Sequence, residues 1–232
     1  MVVSLAGATG QSGARAAAPV LGVLFALLAG TVAARHGAPL RWDLPLHRWA
    51  LRHRYDTVTS AAVALTTTGT GIPAYLVAAV AGAAGRGKRT ARWRGAALAT
   101  VALVAGQLVR VGLVEWVGRP RPPVADWASH AAGPALPSGH TTSSALVAAI
   151  VCLAVRRVTV RPGTRARWCT MALLWAVGVG CTRVYLGVHW PTDVLAGWLL
   201  AGTLTCAALS WPRTGTRLTG GAQPVPVPGR SP

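Results

Sequence analysis

Acidic side chains are scarce in this 232-residue chain. Asp43, Asp56, Glu115, Asp126 and Asp193 stand against 23 lysines and arginines, for a formal net charge of +18. Charged residues of both signs make up 12% of the chain, where a soluble globular protein carries roughly 25%. So few charges cannot keep a soluble surface wet. A basic balance of this size can signal nucleic acid, but the basic residues should then form a patch on a soluble domain. Here they fall in the gaps between apolar runs, as in a multi-pass membrane protein, and no nucleic-acid partner is expected. Cys152, Cys169, Cys181 and Cys206 lie in or at the ends of apolar runs and show no CxxC spacing. They read as small hydrophobes rather than disulfides or metal ligands. An internal repeat, which a small transporter tends to show, is also lacking.

What the chain has instead is 52% hydrophobic residues, gathered into stretches near the roughly 20 residues that a membrane helix needs. The expected fold class is all-α, a bundle of six transmembrane helices near 16–34, 59–85, 95–117, 138–155, 168–186 and 191–211. The first stretch lacks the basic leader of a signal peptide and is followed by further spans. Loops 86–94 and 156–167 hold five lysines and arginines each, and the segment after Trp211 holds three more. The positive-inside bias assigns these, with the N-terminus, to the cytoplasm of a protein in the cell membrane. Loops 35–56, 118–137 and 187–190 then share the outer face. The first of them mixes Trp, Leu and five arginines, which suggests an interfacial helix lying on the lipid headgroups. Residues 1–211 are expected to form the membrane domain, and the Pro/Gly-rich 212–232 a disordered cytoplasmic tail.

Under that topology three polar clusters meet at the outer face: "GRPRPP" at 118–123, "PSGH" at 137–140 and "TRVYLGVHWPTD" at 182–193. Converging guanidinium forks suit a dense anion, and phosphate oxygens match them bidentately. The Ser-Gly-His stretch at a helix start offers free backbone N–H groups and a hydroxyl to the same anion. Two histidines, His140 and His189, would supply a nucleophile and a proton donor. Asp193, four residues after His189, can accept the proton of one ring nitrogen and leave the other free to attack. The bland alternative for each cluster taken separately is a snorkelling residue, a proline loop or a helix cap. A metal is not expected, because the arginines would repel a cation.

Together these residues resemble the three-part signature of the type 2 phosphatidic acid phosphatase superfamily, read here as Arg-Pro, Pro-Ser-Gly-His and Thr-Arg-x5-His-x3-Asp. The resemblance implies a helical bundle and metal-independent, cofactor-free hydrolysis of a lipid phosphate or diphosphate, with undecaprenyl diphosphate or phosphatidic acid as the best guesses. It further implies His189 as the nucleophile of a phosphohistidine intermediate, Asp193 as its assistant and His140 as the acid for the leaving group. Arg121, Ser138, Gly139 and Arg183 would hold the phosphate and stabilise charge on its equatorial oxygens. Two positions depart from the pattern. Thr182 replaces a serine and keeps the hydroxyl. Val114 stands where a lysine is expected, seven residues before Arg121. Arg110 is eleven residues before Arg121, about 20° off the same helix face after three turns, and an intramembrane charge is functional by default. It is the leading replacement, with Arg119 as the other candidate. The competing readings are a catalytically silent relative that binds or moves lipids, and a small anion transporter.

Overall fold

The computed structural model describes residues 2–85 and 87–211. The expected tail at 212–232 lies outside the described residues. Within them all regular structure is helical: α1 (Val2–Ala34), α2 (Asp43–Arg52), α3 (Asp56–Thr68), α4 (Gly71–Ala83), α5 (Arg89–Val117), α6 (Gly139–Val158), α7 (Pro162–Tyr185) and α8 (Pro191–Ser210), with a 3-10 turn at Val124–Asp126.

Six uniform spans are not what the structure contains. Among the described residues four helices are long and apolar enough to cross a membrane, from Ser12–Ala34, Arg89–Val117, Gly139–Val158 and Pro191–Ser210, and α3 with α4 makes a fifth if the bent pair counts as one. The expected span 59–85 is broken by 51° after Thr68. The cause is local. Gly71 takes φ +59°, and a Cβ on Gly69 would sit 2.5 Å from Val179 Cγ1, so a glycine lets the end of α3 lie directly on α7. α7 has the length but includes Arg165, Arg167 and Arg183. The basic loops are also shorter than expected, because α5 takes in Arg89, Arg92 and Arg94, the last turn of α6 holds Arg156 and Arg157, and α7 takes in Arg165 and Arg167.

α1 packs on α8, α4 on α5, α3 on α7, and α6 on both α7 and α8. Phe25, Ala29 and Val32 of α1 meet Leu136 and Ala196 and Leu200 of α8 in one core, and Ala74, Ala78, Leu103, Leu146, Val147 and Ala201 form another. Small residues dominate these seams, and Gly82 and Gly95 let the α4 and α5 backbones touch, as membrane helices pack without a hydrophobic driving force between them. Large apolar side chains such as Leu24, Leu27, Leu98, Leu108, Leu173 and Leu174 stay on the outside. This is a multi-pass membrane protein. The segment 35–56 does hold a short helix, α2, with Trp42, Leu44, Leu46 and Trp49 around it exposed, but it buries Asp43, His47 and Ala50 against the bundle. It meets α7 and α8 at the end where α5 and α7 finish and α6 and α8 begin.

Candidate active site

α5 stops at Gly118, whose φ of +60° closes the helix in the left-handed C-cap conformation, and prolines at 120, 122 and 123 keep the chain from resuming it. This sends Arg119 and Arg121 to different places. Arg121 is gripped by carbonyls: Nε donates to Gly133 O at 2.9 Å, Nη2 to Ala132 O at 2.9 Å and Pro134 O at 3.3 Å, and Nη1 to Val188 O at 2.8 Å. Nη1 also lies 2.9 Å from His189 Nε2. A guanidinium can only donate, so Nε2 is the acceptor and the ring proton sits on Nδ1. Nδ1 faces Asp193 Oδ2 at 3.4 Å, across the first turn of α8. His189 is fully enclosed. Burial pushes its pKa down to about 4, with Arg121 and Arg183 adding to the fall and Asp193 opposing it. Burial likewise lowers the pKa of Arg121, which Asp193 opposes and Arg110 reinforces.

Arg183, in the last turn of α7, is buried and donates Nη1–H to Thr66 Oγ1 of α3 at 3.1 Å. Its Nε is buried with no partner, leaving a charged donor unspent beside the histidines. Ser138 and Gly139 open α6 after the cis Leu136–Pro137 bond. Ser138 N–H donates to the Asp193 carbonyl at 3.1 Å, and its hydroxyl accepts from Thr141 Oγ1 at 3.0 Å. The first N–H groups of α6 have no intrahelical acceptor and carry the positive end of the helix dipole. His140 is half-buried there, and Arg183, His189, Arg121 and Arg110 are its electrostatic neighbours.

Arg110 reaches this place by a different geometry from the one its spacing suggested. The helix ends at Val117, so it cannot carry a common face on to Arg121. Arg110 instead leans toward α6: its guanidinium atoms lie 3.4–3.5 Å from where a Cβ on Gly139 would stand. Nε donates to Gln107 Oε1 at 2.9 Å, and Gln107 Nε2 in turn donates to Ser143 Oγ at 2.8 Å. Val114 is buried.

Arg119 is placed away from the phosphate candidates. It has no exposure at all. Nε points to Gly37 O at 3.3 Å, Nη1 to Thr192 Oγ1 at 2.7 Å and Asp193 Oδ1 at 2.5 Å, and Nη2 to Ala38 O at 3.5 Å and Asp43 Oδ2 at 2.6 Å. A guanidinium has five N–H groups, and five acceptors take them. Arg121 also has its five N–H groups taken, but one of its acceptors is His189 Nε2, which a bound phosphate could replace. The Arg119 donors all go to backbone carbonyls, Thr192 and carboxylates, none of them a histidine ring. Asp193 is therefore shared: Oδ1 holds Arg119, and Oδ2 accepts Trp190 N–H at 2.8 Å besides facing His189.

Residue types and spacing alone missed Thr66, Gln107, Asp43, Thr192, His47 and Asp126. His47 Nε2 pairs with Asp126 Oδ2 at 2.9 Å, and its ring lies 5.2 Å from that of Trp190. The signal was the scarcity of acids itself. Asp43, Asp126 and Asp193 gather behind this one site, while Asp56 and Glu115 stay exposed.

A family model described as the PAP2 superfamily matches residues 95–217. Phosphatidylglycerophosphatase B of Bacillus subtilis is 36% identical over 95 residues, 40% of this chain and 46% of that protein. An undecaprenyl-diphosphatase of Sulfolobus acidocaldarius is 42% identical over 53 residues, 22% of this chain and 26% of its own. The chain thus spans less than half the length of these curated relatives. A crystal structure of a transmembrane PAP2-type phosphatidylglycerolphosphate phosphatase from Bacillus subtilis aligns with a TM-score of 0.68 at 26% identity, covering 83% of this chain and 93% of that one.

Proposed function

The chain belongs to the PAP2 superfamily, and from that premise we propose that it is a phosphatase for a lipid phosphate or diphosphate at the outer face of the cell membrane. The observation that carries this reading is the Arg121 Nη1 contact on His189 Nε2. It leaves a neutral imidazole lone pair directed at the group best suited to hold phosphate oxygens.

In the proposed cycle the substrate phosphate accepts the Arg121 Nη1–H in place of His189 Nε2, and the freed Nε2 lone pair attacks phosphorus. The bond to the leaving oxygen breaks, and that oxygen takes a proton from His140. The developing imidazolium keeps its Nδ1–H toward Asp193. Arg121, Arg183, Arg110 and the Ser138–Gly139 helix start hold the equatorial oxygens as charge shifts among them. His140, now neutral, takes a proton from water as the water attacks phosphorus. The N–P bond breaks, inorganic phosphate leaves and His189 returns to its starting state. No step calls for a metal.

On this reading the crossings within a membrane domain of residues 1–211 are α1, the bent α3–α4 pair, α5, α6 and α8, the helices long and apolar enough to span, with α7 as a sixth. The arginine-rich ends of α5, α6 and α7 would then lie in the cytoplasm, opposite the site. The phosphate site favours no lipid over another. Undecaprenyl diphosphate, phosphatidic acid and phosphatidylglycerol phosphate are the candidates.

The test is phosphate release by purified protein in detergent with EDTA present, on these three lipids, with His189→Ala as control. Release that persists in EDTA and vanishes in the variant supports the reading, and the ratio of rates names the lipid. Release equal in the variant overturns His189 as nucleophile. Lipid binding without release from any of the three favours a silent relative.

A further inference from the structure

We propose that Asp43, on α2 and outside the residues matched by the family model, is a positioning residue for His189, acting through Arg119 and Asp193. The inference rests on His189 being the nucleophile. Asp43 has no exposure and accepts four hydrogen bonds: from Leu40 N at 2.7 Å, Arg119 Nη2 at 2.6 Å, Thr192 N at 3.0 Å and Thr192 Oγ1 at 2.8 Å. Thr192 is the second residue of α8, so a carboxylate from a distant helix satisfies one of the free N–H groups of the first α8 turn and faces its positive end. The next residue is Asp193. One buried cation is thus divided between two buried carboxylates, and the second of them faces the imidazole.

Stability alone is a weak account of such a triad, because apolar groups of similar volume often pack as well or better. Its electrical effect on His189 is specific and has a sign. While Asp43 takes part of the Arg119 charge, Asp193 keeps enough negative potential to hold Nδ1–H and to stabilise the cationic ring that forms when Nε2 bonds to phosphorus. Neutralise position 43, and Arg119 draws on Asp193 alone, so the cationic ring is less stabilised. Neutralise position 119, and Asp193 acts on His189 undiluted. The other charged or titratable groups facing His189 are Arg121 from the 118–137 loop, His140 from α6 and Arg183 from α7. His47 of α2 lies against Trp190, and Asp126 pairs with His47. None of these is a hydrogen-bond partner of Asp43 or Arg119.

The test uses the full chain in detergent as wild type, Asp43→Asn and Arg119→Gln. The readouts are kcat and KM for phosphatidic acid and undecaprenyl diphosphate, and the imidazole nitrogen NMR signals of His189, identified by their absence in His189→Gln. Asp43→Asn is expected to lower kcat on the order of 10-fold to 100-fold, the scale seen when the partner behind a metal-bound histidine is removed, with KM changed by less than about threefold. Its His189 signal should titrate at lower pH than in the wild type, and that of Arg119→Gln at higher pH. A merely structural role moves neither midpoint. Midpoints that stay put, or that shift the same way in both variants, overturn the proposal. Should Asp43→Asn fail to fold, Thr192→Val removes the hydroxyl that Asp43 and Arg119 share, and it should shift the midpoint in the Asp43→Asn direction by less. The two readings separate cleanly. If the wild type hydrolyses neither lipid but the midpoints move in opposite directions, the coupling stands and the phosphatase reading falls. If the wild type is active and Asp43→Asn keeps its kcat, the coupling falls alone.

Discussion

Removal of Arg110 is the sharpest test of the proposed phosphate site, because the residue is proposed to fill the role that Val114 leaves open. Its guanidinium lies 3.4–3.5 Å from the Cβ position of Gly139, so an anion on the first N–H groups of α6 would sit about one contact distance from the charge. Two unit charges about 4 Å apart interact by about 4 kcal/mol at an effective dielectric near 20. Loss of one preorganised donor from a site that stabilises developing charge costs about 2.7–4 kcal/mol, or 10²–10³ in kcat. Arg110 is half-buried rather than sealed, which places the expectation at the lower end. Arg110→Ala should therefore lose about 100-fold in kcat/KM for phosphate release, with the protein still folded as judged by its unfolding temperature. Arg110→Lys, which keeps the charge, should stay within about tenfold of the wild type. Val114→Lys added to Arg110→Ala should recover part of the loss by restoring the cation in the position that the family pattern gives it. Turnover of Arg110→Ala within about twofold of the wild type would refute the assignment, whatever the other two variants did.

Three further outcomes follow from the same geometry. His189 titrates near 4 in the folded chain against about 6.5 unfolded, so the unfolded state binds more protons between those values and stability rises with pH there. Thermal unfolding of the wild type should show that rise relative to His189→Asn, the stabilisation being complete above about 6.5 and lost as pH falls toward 4; parallel curves would contradict it. Gly187 has φ +74°, and a Cβ there would overlap Asp126 O and Arg54 Nη2. Gly187→Ala should lower the unfolding temperature by roughly 6–12 °C, taking about 3 kcal/mol for the strain and clash at 2–4 °C per kcal/mol. Asp56→Asn and Glu115→Gln, the two exposed acids, should leave turnover within about twofold, whereas Asp193→Asn should lower it by 10² or more; a large loss from either exposed acid would break the link between burial and function.

The sequence carried the membrane class because too few charges for a wet surface and too many apolar residues for a loop are additive properties that need no contacts. It also carried His140, Arg183, His189 and Asp193 as candidates, since turn chemistry and the spacing across one helical turn are local. The break in the second span was not legible. Gly69 and Gly71 sit in an unbroken apolar run, and the bend depends on how closely α3 lies against Val179. Arg110 was reached from its charge inside a span, but by a helical extrapolation past Val117 that the chain does not follow. Arg119 and Arg121 were indistinguishable in sequence, two arginines before two prolines. Only tertiary structure sent one to His189 and the other to Asp43, because a guanidinium goes where acceptors converge. For Arg119 these come from the α1–α2 turn, α2 and α8, and for Arg121 from residues 132–134 and 188–189. One-dimensional pattern thus determined which chemistry was available and at which end of the bundle. The partner of each arginine, and with it the charge that His189 feels, was decided by packing between segments up to 149 residues apart.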